Sequence, residues 1–202
     1  MTGSDPGPSR VVRPVAWWAI VSSVLAPVAL IGGWSLAASR QPAGYSPVRD
    51  TISALAARGA ADRWIMTVAL AVLGCCHLVT AAGLRPARPA GRIVLALGGL
   101  ATLGVAAFPL PVHGTSTAHA AAAFIAFGCL STWPAPASVP DAGPALTPTV
   151  SRLATVTLLA LLVLFGLTLD SSVEGFTERV LAGAQALWPA VVVLAARFGG
   201  SR

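Results

Sequence analysis

Lysine is absent from this chain, and charge of either sign is scarce: 13 arginines and 7 acidic residues make up 10% of its 202 residues. Without lysine there is no amine for a Schiff base, so retinal-type attachment and other lysine-dependent covalent chemistry are excluded. Soluble domains carry about a quarter charged residues, because a water-facing surface needs them. This chain has too few to cover a globule. Its hydrophobic fraction is 55% and its mean hydropathy +0.78, so lipid is the solvent for most of its surface. The excess of arginine does not indicate nucleic acid, since the arginines stand singly between apolar runs and form no patch. Only three cysteines occur, Cys75, Cys76 and Cys129, each inside an apolar run and none in C-x-x-C spacing. They read as small packing residues.

A spanning helix takes about 20 mainly apolar residues, and in lipid such runs must close their own backbone hydrogen bonds as helix. Six runs qualify, at 15–38, 64–84, 92–108, 118–133, 152–169 and 180–196. The sequence therefore predicts an all-α fold: a polytopic membrane bundle of six transmembrane helices over 15–197, with tails at 1–14 and 198–202. The third and fourth runs are short and call for tilt or local thinning. The first exceeds the length of a signal-peptide core and reads as an uncleaved anchor.

Arginine placement orients the bundle. With the N-terminus inside a cell membrane, Arg10, Arg13, Arg85, Arg88, Arg92, Arg152, Arg197 and Arg202 are cytoplasmic, against Arg40, Arg49, Arg58, Arg63 and Arg179 outside. The bias sets both termini in the cytoplasm. The first outer connection, 39–63, holds a stretch from Asp50 to Gly59 that reads as a short helix, with Asp50 as N-cap and Gly59 as stop. Ile52 and Leu55 give it one apolar face, and it is pictured lying across the outer mouth of the bundle. The inner segment 134–148 reads as a plain linker. Pro27 and Pro189 fall within the first and last spans, and Gly98-Gly99 with Gly104 permits close helix contact.

Ionisable groups at membrane depth are costly and are functional candidates for that reason. His119 lies roughly a turn inside the fourth span, and Gln185 about 9 Å below the outer surface at 1.5 Å per residue. His77, about 21 Å down the second span on the same rise, falls toward the cytoplasmic side. His113 and His119 can share an outer site that His77 cannot reach. Zinc is possible there, with His113, His119 and one carboxylate from Asp50, Asp170 or Glu174 as ligands. The bland readings are capping and packing: Ser171-x-x-Glu174 fits a capping box, Asp50 and Asp62 fit N-caps, and His77 fits an interhelix hydrogen bond.

Several stretches carry a resemblance. Tyr45 to Leu55 (YSPVRDTISAL) follows the first span, Phe108-Pro109 closes the third with His119 opening the fourth, and Gly175-Phe-Thr-Glu-Arg179 leads to Trp188 in the sixth. Together these resemble the bacterial and archaeal family called domain of unknown function 998, over nearly the whole chain. The resemblance implies a six-helix membrane protein whose activity is not established. The chain departs from the pattern at Ala54, where an acid commonly follows the Ile-Ser pair, and at Leu110, where an aspartate commonly follows Phe-Pro.

Three functions fit the residues. One is binding or transport of a small amphiphile or lipid, its head group met by Arg49, Ser53, Asp170, Arg179 and Gln185 at an outer polar mouth and its tail held between helices. Another is a membrane-embedded hydrolase of lipid head groups, with His119 as general base or metal ligand, oriented by Asp50 or Glu174, and Arg179 holding an anionic group. A third is a non-catalytic accessory subunit whose mouth docks a protein partner. No nucleophile elbow or H-E-x-x-H motif occurs.

Overall fold

The computed structural model describes residues 14–140 and 142–199. Arg10, Arg13 and Arg202, on which part of the orientation argument rests, lie outside the described residues. The elements are α1 (Trp17–Ala38), α2 (Ile52–Ala56), α3 (Trp64–Gly83), α4 (Pro89–Ala107), α5 (Thr117–Thr132), α6 (Pro134–Ala137), a 3-10 turn (Pro144–Leu146), α7 (Pro148–Leu167) and α8 (Glu174–Phe198). Five helices, α1, α3, α4, α7 and α8, are long and apolar enough to cross a membrane, and α5 is apolar but has only 16 residues.

The six long helices close into a ring. The principal pairings are α1 with α3, α3 with α4, α4 with α5, α5 with α7, α7 with α8, and α8 back to α1. Helical periodicity decides what each presents inward: α3 buries Met66, Leu70, Leu73, His77 and Thr80, at spacings of three and four. On α7 only Ser151, Ala154 and Leu158 are buried, while Leu153, Val156, Val163 and Leu167 face outward. Such an outward face suits lipid.

The glycine pair in α4 acts as the sequence anticipates. A Cβ on Gly98 would stand 2.7 Å from Leu130 of α5, and one on Gly99 would stand 2.8 Å from the Gly74 carbonyl of α3. Adjacent glycines thus bring α4 close to both its neighbours. Helices α1 and α8 continue through Pro27 and Pro189.

Four expectations are corrected. Segment 134–148 is no plain linker: α6 and the 3-10 turn fold Ala137, Ala145 and Leu146 into a cluster with Trp133, Leu84 and Val193, because apolar side chains there seal one end of the ring. Helix α2 stops at Ala56, and its N-cap is Thr51, whose hydroxyl accepts the Ala54 N–H. Asp50 is not free to cap because its carboxylate folds back onto the Ser46 N–H at 2.7 Å. Asp62 takes a left-handed conformation (φ 46°), tolerated by aspartate, and its carbonyl rather than its side chain accepts the Ile65 N–H.

The fourth correction is the start of α8, at Glu174 rather than Val180. Glu178 and Arg179 end an apolar pattern in the sequence, but in the fold they find partners and stay helical.

Candidate functional site

The connection between α1 and α3 is docked onto the first turns of α8. Gly175 and Phe176 donate their N–H groups to the Arg49 and Val48 carbonyls at 3.3 and 2.9 Å. A Cβ on Gly175 would fall 2.3 Å from the Asp50 carbonyl oxygen, so only glycine allows this approach. Arg179 completes the staple. Its Nη1 donates to the carbonyls of Pro47, Asp50 and Gly175 at 2.7, 2.8 and 2.8 Å, and its Nη2 donates to the Tyr45 hydroxyl. Burial raises the Tyr45 phenol against the pull of Arg179, so it is neutral near pH 7.

Beside this staple sits a charged pair. Arg49 and Asp50 form a salt bridge at 3.0 Å, with side chains 55% and 27% exposed. Burial would raise the Asp50 carboxyl, but the Arg49 and Ser46 hydrogen bonds, with the charges of Arg49 and Arg179, hold it below the usual range.

Docking presses α2 into the end of the ring. Ile52, Leu55 and Ala56 are at most 3% exposed. The Ile52 N–H donates to the Glu178 carboxylate, itself 4% exposed. Ser53, on the same turn, meets His119 of α5: the Ser53 Oγ lies 3.1 Å from Nε2, and the Phe108 carbonyl lies 2.9 Å from Nδ1. A carbonyl only accepts, so Nδ1 carries the proton and Nε2 accepts from the serine hydroxyl.

Behind α2, at the centre of the ring, is a cavity of about 50 Å³. Its walls come from α1, α2, α3, α4, α5 and α8 and are mostly apolar, with Ser53 and Glu178 near α2 and His77, Thr102 and Gln185 among the polar exceptions. Gln185 donates to the Phe127 carbonyl at 3.0 Å and to the Ser131 hydroxyl at 2.8 Å. Both ring nitrogens of His77, and Oε1 of Gln185, are buried with no hydrogen-bond partner among the described residues.

A family model described as "Protein of unknown function (DUF998)" matches residues 9–195. The chain belongs to the DUF998 family. Neither the curated proteins nor the solved structures contain a match.

In this DUF998 protein the candidate residues separate into groups. Ser53 and His119 come together, and Arg49, Asp50 and Arg179 share the docked connection. Gln185 is not at the mouth: counted from the start of α8 it lies about 16 Å along the helix at 1.5 Å per residue, facing the cavity. His77, about 20 Å from the start of α3 on that rise, lines the same cavity. The cavity joins His77 to the residues near α2 from which its place along the sequence separates it.

Glu174 accepts the Asp170 N–H at 2.9 Å, while Ser171 accepts the Val173 N–H at 3.3 Å. Both satisfy backbone at the turn into α8, one position away from the expected capping box. Asp170 has a positive φ of 60° and is exposed there. His113 is exposed in the connection between α4 and α5. Among the described residues no three His, Cys, Asp or Glu side chains are grouped to hold a metal ion. Glu178 is the residue that sequence reasoning missed; its signal is an acid one helical turn past Glu174, at the edge of the apolar run.

Proposed function

We propose that this DUF998 protein is a multi-pass membrane protein that binds a slender amphiphile within its helix ring, the polar group near α2 and the chain between α3, α5 and α8. The observation that carries this reading is the mostly apolar cavity with a few polar groups in its walls, the kind of lining that small-molecule sites have. In this reading α5, about 24 Å long at 16 residues, is the sixth span in a locally thinned bilayer. Both termini are cytoplasmic and the α2 end faces outward, as arginine bias favours. Arg179 serves the fold rather than a ligand, since its guanidinium is taken by carbonyls and Tyr45 of its own chain.

The test is photolabelling of the full chain in phosphatidylcholine nanodiscs with a diazirine-bearing alkyl phospholipid. Saturable labelling of peptides that line the cavity is the expected result. Labelling confined to the outward face of α7, and rising without saturation, would remove the reading.

A second reading is favoured by the Ser53–His119 geometry. A serine hydroxyl held by a histidine whose other nitrogen is fixed by a third group is the arrangement of an activated nucleophile. Ser53 would attack an ester carbonyl, passing its proton through His119 to the leaving alcohol, and water would then release the acid. Binding stands ahead because the Ile52 N–H, next to Ser53 in the chain, is held by Glu178 and is not free to steady an oxyanion. A fluorophosphonate adduct on Ser53 that is lost in His119→Ala would establish hydrolysis; no adduct would dismiss it.

A further inference from the structure

We propose that the inner part of the cavity is a receptor for a neutral hydroxyl group, so that the preferred occupant is a slender chain that carries a hydroxyl at its inner end. This rests on the reading of the cavity as a binding site and names the chemistry of its occupant.

The inference starts from polar atoms that the fold buries and does not pair. His77 is 0% exposed and Gln185 1% exposed, and both line the cavity. Among the described residues three further buried polar atoms lack a protein partner, on Trp133, Ser151 and Trp188, but none of those residues lines this cavity. An unpaired buried polar group is destabilising, so the unpaired atoms of these two cavity-lining residues, His77 and Gln185, call for a partner.

Their chemistry selects the partner. Gln185 spends its NH₂ on the Phe127 carbonyl and the Ser131 hydroxyl, which leaves Oε1 an acceptor needing a donor. Neutral imidazole offers one N–H donor and one lone pair. A carboxylate has no proton to give Oε1. An ammonium has no lone pair for the imidazole N–H. A ketone or ester accepts but cannot donate. A hydroxyl does both, donating to Oε1 or to the imine nitrogen while accepting the imidazole N–H.

Size limits the rest. A cavity of about 50 Å³ holds roughly four waters at the 10–15 Å³ that one occupies on this scale, or a short length of unbranched chain. A ring system does not fit. The methyl end of a simple fatty tail would fit, but it would leave His77 and Gln185 unpaired.

The experiment uses the full chain in phosphatidylcholine nanodiscs, stripped of co-purifying lipid by detergent exchange. Two probes are compared: a long-chain primary alcohol with a mid-chain diazirine, and its counterpart in which the hydroxyl is replaced by methyl. Saturable labelling of the peptides bearing His77 and Gln185 is expected, with the alcohol favoured by roughly tenfold or more, as two satisfied buried groups imply. His77→Leu should reduce that preference to what Gln185 Oε1 alone supplies, while the melting temperature of the stripped protein holds or rises, because an unpaired polar group has been replaced by an apolar one. Equal saturable labelling by both probes in the wild-type chain overturns the hydroxyl assignment and leaves the binding reading intact. Absence of saturable labelling by either probe removes both. A preference undiminished in His77→Leu, or a fall in melting temperature for that variant, identifies His77 as a packing group bridged by buried water and overturns the inference.

Discussion

The Ile52 N–H donates to the Glu178 carboxylate, so the first turn of α2 is closed by a side chain 126 positions further along the chain. A five-residue helix is too short to persist alone. This bond, with the burial of Ile52 and Leu55, is what holds it across the ring.

Glu178→Ala should therefore loosen α2 by leaving the Ile52 N–H buried and unpaired, a loss of about 1–3 kcal/mol. Glu178→Gln keeps an acceptor oxygen and should lose distinctly less. Thermal unfolding in detergent reads both; equal stability of Ala and wild type would show that the bond contributes nothing.

Arg179→Lys should free the docked connection even though the charge remains, because an ammonium cannot reproduce the planar fork that reaches three carbonyls and Tyr45. Amide exchange over residues 45–52 is the readout. Faster exchange is expected there and not in α3.

Gly175→Ala puts a methyl 2.3 Å from the Asp50 carbonyl and should expel the connection from α8, lowering the melting temperature by several degrees. Gly166→Ala is the control: nothing lies within 4 Å of its Cβ, and alanine in α7 should hold or raise stability, by up to about 1 kcal/mol. The two variants moving together would contradict the close approach.

Low pH should also undock the connection. The Asp50 carboxyl is held below its ordinary value of 3.8, so its contribution is complete above that pH and is lost as pH falls through the depressed folded value. Amide exchange at Ser46 should rise below about pH 3.8 in the wild-type chain. In Asp50→Asn the same exchange should already be raised at neutral pH and should lose that dependence.

A double-mutant cycle on Ser53→Ala and His119→Ala should return a coupling of about 0.5–1.5 kcal/mol, the usual net worth of a neutral hydrogen bond. Additive losses would mean that the 3.1 Å contact is geometric only.

Length and composition by themselves determined that this is an all-helical chain with a lipid-facing surface. Each long helix is visible as a local run of apolar residues, because the cost of exposing backbone in lipid is settled within one helix. Candidate residues whose role is local, such as Glu174 at the start of α8, were legible to within a position. What tertiary structure decided is pairing. The apolar pattern stops at Arg179, yet α8 begins at Glu174, since the partners that make Glu178 and Arg179 tolerable lie in the connection before α3. His77 and Gln185 belong to different helices, and only ring closure turns both onto one cavity. Arg179 looks like an anion-binding residue until its hydrogen bonds are traced to its own backbone. Contacts between residues 54 to 134 positions apart leave no periodicity in the sequence, and in this protein those contacts make the site.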